Sequence, residues 1–118
     1  MSEASGFYES WPQRMIAAKA MAPEVGRAFG PFFRDLMKDG ALPAKQKELI
    51  ALGIGIAVRC EACIYTHVEK CFKAGATEAE IMETAGVAVM MGGGPAYTYL
   101  AVVAEAVKAC EVRAGQAA

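Results

Sequence analysis

Residues 49–58 read LIALGIGIAV, ten apolar residues in a row with no charge, hydroxyl or amide side chain among them. No other stretch restricts the possible fold so tightly. A helix that is apolar around its whole circumference has to be wrapped by other elements. The run is about half of the roughly twenty residues that a membrane span needs, so it predicts a central helix in a globular core. Gly53 and Gly55 inside it each weaken a helix by roughly 1 kcal/mol relative to alanine. Close approach of a neighbouring helix would offset that cost.

The surrounding elements also read as helices. Ala, Met, Leu, Glu and Lys dominate, and no stretch alternates apolar and polar residues as a half-buried strand does. Glycine and proline cut the 118-residue chain into about six segments. The first helix is expected over residues 10–21. The second starts at Pro23, a good first-turn residue, and stops at Gly40. Its Phe29, Phe32, Phe33, Leu36 and Met37 follow helical spacing. The third starts at Pro43 or Ala44 and contains the apolar run. The fourth is expected over residues 60–75. Thr77 and Glu80 form a capping box for the fifth, which runs to about residue 91. GGGP, residues 92–95, lacks the lysine and Ser/Thr of a phosphate loop and reads as a turn that allows close packing. The sixth helix is expected over residues 95–113, and the tail AGQAA should fray. The expected architecture is all-α: a compact bundle of about six helices forming one domain over residues 1–118, with its core at about 23–113.

Composition narrows the partners. Twelve basic and thirteen acidic residues give a net charge of −1, which points away from nucleic acid and anionic membranes. The start, MSEASGFYESWPQRM, lacks the basic-then-apolar order of a signal peptide. A cytoplasmic protein is therefore expected, with Cys60, Cys63, Cys71 and Cys110 mainly reduced. Hydrophobic residues make up 55% of the chain, more than a small monomer needs. Burial between subunits of a homo-oligomer would account for the excess.

RCEACIYTH, residues 59–67, carries the chemistry. With a helix starting near Cys60, both cysteines sit in or beside its first turn. Unpaired N–H groups and the positive end of the helix dipole favour a thiolate there, and Arg59 adds a cation. Cys60, Cys63 and His67 share one helical stripe, which puts His67 within reach of Cys63 as a general base. If the third and fourth helices form an antiparallel hairpin turning near Arg59, Glu48 lies roughly 15 Å back from the turn and His67 roughly 10 Å from it. Glu48 is then level enough to orient His67, without touching Cys60. Zinc fits less well. Cys60, Cys63, His67 and Cys71 are ligand types, but they spread over roughly 16 Å of helix, whereas Zn–S bonds are about 2.3 Å. No metal and no bound cofactor is expected.

Glu48, eleven intervening residues, CEAC at 60–63, three residues and His67 together resemble the carboxymuconolactone decarboxylase-like superfamily, and within it the alkylhydroperoxidase AhpD branch. FKAGATEAEIMETAGVAVMMGGGPA, residues 72–96, is similar to that branch in its Gly-Ala-Thr turn and Gly-rich break. The resemblance covers about residues 30–107. It implies an AhpD-like all-α fold assembled as trimers or hexamers, and a thiol peroxidase acting on organic hydroperoxides. It implies that Cys63 is the peroxidatic cysteine, that Cys60 resolves it as a disulfide, and that His67 and Glu48 form the proton relay. An external dithiol would regenerate the pair. Ala62 stands where AhpD itself often carries a histidine, so that part of the relay is absent. The true decarboxylases of the superfamily lack the cysteine pair, which disfavours decarboxylation. Two alternatives stay open: a dithiol–disulfide oxidoreductase, and an oligomeric binding protein whose cysteines sense redox state.

The remaining residues have plainer expectations. Tyr65 lies off the Cys63 stripe and should pack. Cys71 and Cys110 read as small structural residues, and Met82, Met90 and Met91 as core or interface. RAFGPFF, residues 27–33, would line either an apolar substrate pocket or a subunit contact.

Overall fold

The computed structural model describes residues 2–117, and among them there are helices and no strands. Seven helices follow in order: α1 Glu3–Met21, α2 Pro23–Met37, α3 Ala44–Ala57, α4 Glu61–Lys73, α5 Glu78–Gly92, α6 Gly94–Thr98 and α7 Leu100–Ala117. Six are long and α6 is a single short turn, so the all-α bundle of about six helices is the architecture observed.

The apolar run forms most of α3, the hub of the bundle. It packs against α4 on one side and α5 on another, while α4 also packs against α7. Leu52 and Ile56 of α3, Ile64 and Val68 of α4, Ile81 of α5 and Val103 of α7 are fully buried together. The two glycines face different neighbours at different spacings. A methyl group on Gly53 would meet Thr84 Cγ2 of α5 at 3.5 Å, and one on Gly55 would meet Cys63 Cβ of α4 at 3.1 Å. Close approach therefore offsets the helix-weakening cost of Gly55, whereas at Gly53 a methyl would make only an ordinary contact. One expectation needs correction: α3 is not buried on every side. Ile50 and Ile54 are exposed within one chain, as is the C-cap Val58, and Ile50 and Ile54 border an apolar groove with Val87 and Met91 of α5.

The helix ends follow local chemistry. Thr77 and Glu80 make the reciprocal capping box, with Glu80 N–H donating to Thr77 Oγ1 at 3.1 Å and Thr77 N–H donating to Glu80 Oε1 at 2.8 Å. The Thr77 amide, with the Lys45 ammonium beside it, holds the Glu80 carboxyl below its ordinary range. α2 ends three residues before Gly40. Lys47 Nζ donates to Leu36 O at 2.7 Å and to Lys38 O at 2.8 Å, satisfying carbonyls that another turn would have used. Asp39 Oδ1 then accepts the Ala44 N–H at 2.7 Å, which starts α3.

Three other boundaries differ from expectation. α1 begins at Glu3, seven residues before residue 10, with Ser2 as its N-cap. Pro12 favours a helix start by its missing N–H, yet here it lies inside the helix. The expected sixth helix is divided at Tyr99 into α6 and α7. α7 continues through Ala117, so the tail is helical where fraying was expected, apart from Ala118, which lies outside the described residues.

Candidate active site

The site is assembled where α3 hands over to α4. Val58 caps α3, Arg59 N–H donates to Ile56 O at 3.1 Å, and Cys60 N–H donates to Gly55 O at 3.0 Å. These two bonds form the Schellman pattern, whose reversing residue is usually glycine. Here it is Arg59, at φ 59°, a left-handed conformation that costs a side-chain-bearing residue roughly 1–2 kcal/mol. The turn delivers Cys60 as the N-cap of α4 and Cys63 at its third position.

Cys60 and Cys63 are joined as a disulfide, with their Cα atoms 5.2 Å apart. Cys63 N–H donates to Cys60 Sγ at 3.2 Å, so the helix end supplies a donor to a sulfur, as a thiolate requires. Both residues are half-buried. Gly55 is what lets α3 lie against them: its missing side chain leaves the space that Cys63 Cβ fills.

One turn below, His67 Nδ1 lies 2.7 Å from Glu48 Oε1. The two side chains are 14% and 10% exposed, and Glu48 is the single charged residue in the buried set among those described. A carboxylate oxygen only accepts, so Nδ1 donates and Nε2 is left as the ring nitrogen that can take a proton. The spacing estimate put Glu48 and His67 at one level; nineteen residues apart in sequence, they touch. Cys60, Cys63, His67 and Glu48 are thus gathered at the α3–α4 junction.

Four more side chains support this group; the sequence pointed to Phe33, within RAFGPFF, but not to Lys70, Phe7 or Tyr8. Phe33 of α2 stacks on the His67 ring, with centroids 6.3 Å apart and planes at 29°. Lys70 Nζ sits 5.1 Å from the Phe33 centroid. From α1, Phe7 packs 4.8 Å from the ring of Tyr65, and Tyr8 Oη donates to Tyr65 O at 2.6 Å. Tyr65 is buried and packs, as expected. A first helix starting at residue 10 would have excluded Phe7 and Tyr8. The available signal was Ser2 ahead of Glu3, an N-cap followed by an acidic first turn.

The other cysteines lack this environment. Cys71 is fully buried, and burial pushes its thiol up to about 12. Burial also raises Cys110, against a weaker opposing hydrogen bond to Tyr8. Neither favours a thiolate at neutral pH. Among the described residues, no three or more His, Cys, Asp or Glu side chains are arranged to hold a metal ion.

The model of the carboxymuconolactone decarboxylase family matches residues 23–106. The chain belongs to the carboxymuconolactone decarboxylase family. A family protein from Legionella pneumophila has a solved structure that superposes with a TM-score of 0.86 at 34% identity, covering 93% of this chain and 98% of that one. A second family structure, from Thermotoga maritima, gives 0.68 at 28% identity over 76% of this chain and 91% of its own; a part in an antioxidative response has been suggested for it. An uncharacterised protein of Cupriavidus necator is 32% identical over 95 residues, 69% of this chain and 84% of its own length. The family's all-α fold is the one seen here, and the Cys60–Cys63 pair fits a Cys-x-x-Cys redox role within it.

Proposed function

We propose that this protein is a thiol-dependent peroxidase of the alkylhydroperoxidase type. The observation that carries it is the Glu48–His67 contact one turn below a disulfide-forming pair at a helix start. In the reduced enzyme, His67 Nε2 takes the Cys63 proton while Glu48 stabilises the imidazolium. The Cys63 thiolate attacks the terminal oxygen of a hydroperoxide. The O–O bond breaks, the alkoxide takes a proton to leave as an alcohol, and Cys63 becomes a sulfenic acid. The Cys60 thiol displaces hydroxide from that sulfur, and with one proton water and the Cys60–Cys63 disulfide result. An external dithiol then returns two electrons by exchange and is itself oxidised. This cycle suits a reducing, cytoplasmic setting. The antioxidative role suggested for the Thermotoga maritima relative supports it.

Homo-oligomerisation, as trimers or hexamers, is part of the proposal. Ile50, Ile54, Val87 and Met91 leave an apolar face on α3 and α5 that a second copy would cover. One observation favours the dithiol–disulfide oxidoreductase alternative. The Cys63 N–H points at Cys60 Sγ, which would stabilise a thiolate on Cys60, the N-cap cysteine, for exchange with another dithiol.

Stopped-flow oxidation of the reduced protein by cumene hydroperoxide, with thiols counted before and after, tests the proposal. Cys63→Ser should abolish turnover, and Cys60→Ser should trap a sulfenic acid on Cys63. Full turnover by Cys63→Ser overturns it. Reduction of a disulfide substrate without peroxide turnover selects the oxidoreductase.

A further inference from the structure

A groove of about 470 Å³ runs between α1, α2 and the outer side of α4, within the range of small-molecule sites. Met15, Val25, Phe29 and Phe33 make its apolar walls. Three cations border it, one from each helix. The Lys19 stem lies over Gly26, its Cγ 3.3 Å from where a Cβ would stand, and Arg34 Nη1 is 3.7 Å from the equivalent point on Gly30. Lys70 Nζ sits above Phe33. No carboxylate lines the groove, and the ion pairs among the described residues use none of these three cations.

The groove adjoins the candidate active site. Its wall residue Phe33 stacks on His67. Thr66 and Lys70 line it from α4, and they follow Cys63 by three and seven residues on one helical stripe, with Thr66 only ~4.5 Å further along the axis.

We propose that this groove binds an amphipathic carboxylate, an aliphatic chain with one anionic head, as the recognition site for the hydroperoxide. The inference rests on the peroxidase proposal. The chain lies against Met15, Val25 and Phe29, and Lys19, Arg34 and Lys70 neutralise the head group. The charge pattern favours an anionic ligand over an apolar face of a second copy of this chain. A subunit contact that buried three unpaired cations in an apolar seam would carry a desolvation cost that an anionic ligand removes. The substrate class is therefore a fatty-acid-like hydroperoxide, whose peroxide oxygen goes to Cys63 and whose hydroxy acid product departs.

Calorimetric titration of the oxidised full chain with decanoate and with decan-1-ol tests it. Decanoate should bind saturably and at least tenfold more tightly than the alcohol. The preference should shrink about tenfold in Arg34→Gln/Lys70→Gln, and binding should vanish in Gly30→Leu, which fills the groove from a helical position. Equal affinity for acid and alcohol, or unchanged binding by Gly30→Leu, overturns the proposal. So does an absence of decanoate binding accompanied by a fall in sedimenting mass in Gly30→Leu, the sign that a second copy occupies the groove. In the reduced protein, Gly30→Leu should lower kcat/KM for a hydroperoxy fatty acid at least tenfold relative to kcat/KM for hydrogen peroxide; an unchanged ratio overturns it. Binding is read on oxidised protein, so it decides the groove even if no peroxide is turned over, a result that would sink the peroxidase proposal alone.

Discussion

Gly53→Ala and Gly55→Ala make the same chemical change two residues apart on α3 and should shift stability in opposite directions. In isolation each adds roughly 1 kcal/mol of helix propensity. The Gly53 methyl meets only Thr84 Cγ2 at 3.5 Å, an ordinary contact, so Gly53→Ala should keep most of that gain. The Gly55 methyl meets Cys63 Cβ at 3.1 Å, with Cys63 C and Ile64 N at 3.7 Å. Carbon contacts are comfortable at about 3.5–4.0 Å, so α4 has to retreat by several tenths of an ångström. It is poorly placed to do so. The Cys60–Gly55 hydrogen bond holds one end of the crossing and the Glu48–His67 contact the other. Overpacking of this kind costs about 1–3 kcal/mol. Set against the propensity gain, Gly55→Ala should range from neutral to about 2 kcal/mol less stable than the parent. The gap between the two variants, about 1–3 kcal/mol, then reports the overpacking term alone. Urea unfolding of both variants measures it, and peroxide oxidation of the reduced proteins shows whether the strain reaches Cys63. A Gly55→Ala protein as stable as Gly53→Ala, with an unchanged oxidation rate, would refute the close-approach account.

Three further outcomes are expected. Glu48→Gln keeps an acceptor for Nδ1–H but removes the charge, so kcat/KM for peroxide should fall roughly 10- to 100-fold, part of the 10²–10⁴ that general base catalysis contributes; an unchanged rate with an intact fold would remove Glu48 from the relay. The depressed Glu80 pKa contributes stability that is present above the ordinary carboxylate range and is lost as pH falls through the lower folded value. Glu80→Gln should therefore be less stable at pH 7, with the difference closing in acid; a pH-independent difference would contradict this. Arg59→Gly relieves the left-handed side chain at φ 59° and should stabilise the fold by about 1 kcal/mol in denaturant titration, with a loss of stability as the contrary result.

Local chemistry made much of this protein legible in advance. The capping box at Thr77, the stops around Gly75 and Gly92–Gly93, and the shared stripe of Cys60, Cys63 and His67 depend on residues within one or two turns. Pattern alone therefore locates them. The Glu48–His67 level also followed, because one short turn joins two helices of known rise. The early start of α1 was not legible in the same way: Pro12 lies inside the helix, and Phe7 and Tyr8 ahead of it are held by tertiary packing on α4.

What the sequence by itself determined was the inventory: helices, their main breaks, and a thiol pair with a base on one face. Tertiary structure alone decided which faces meet. It placed Phe33 on His67, bound Tyr8 to the Tyr65 carbonyl 57 residues away, and left Ile50 and Ile54 of the all-apolar helix uncovered. Periodicity defines a helix's faces but not their neighbours; those are selected by packing between segments far apart in the chain, where a single missing methyl at Gly55 sets how closely α3 can approach the cysteines.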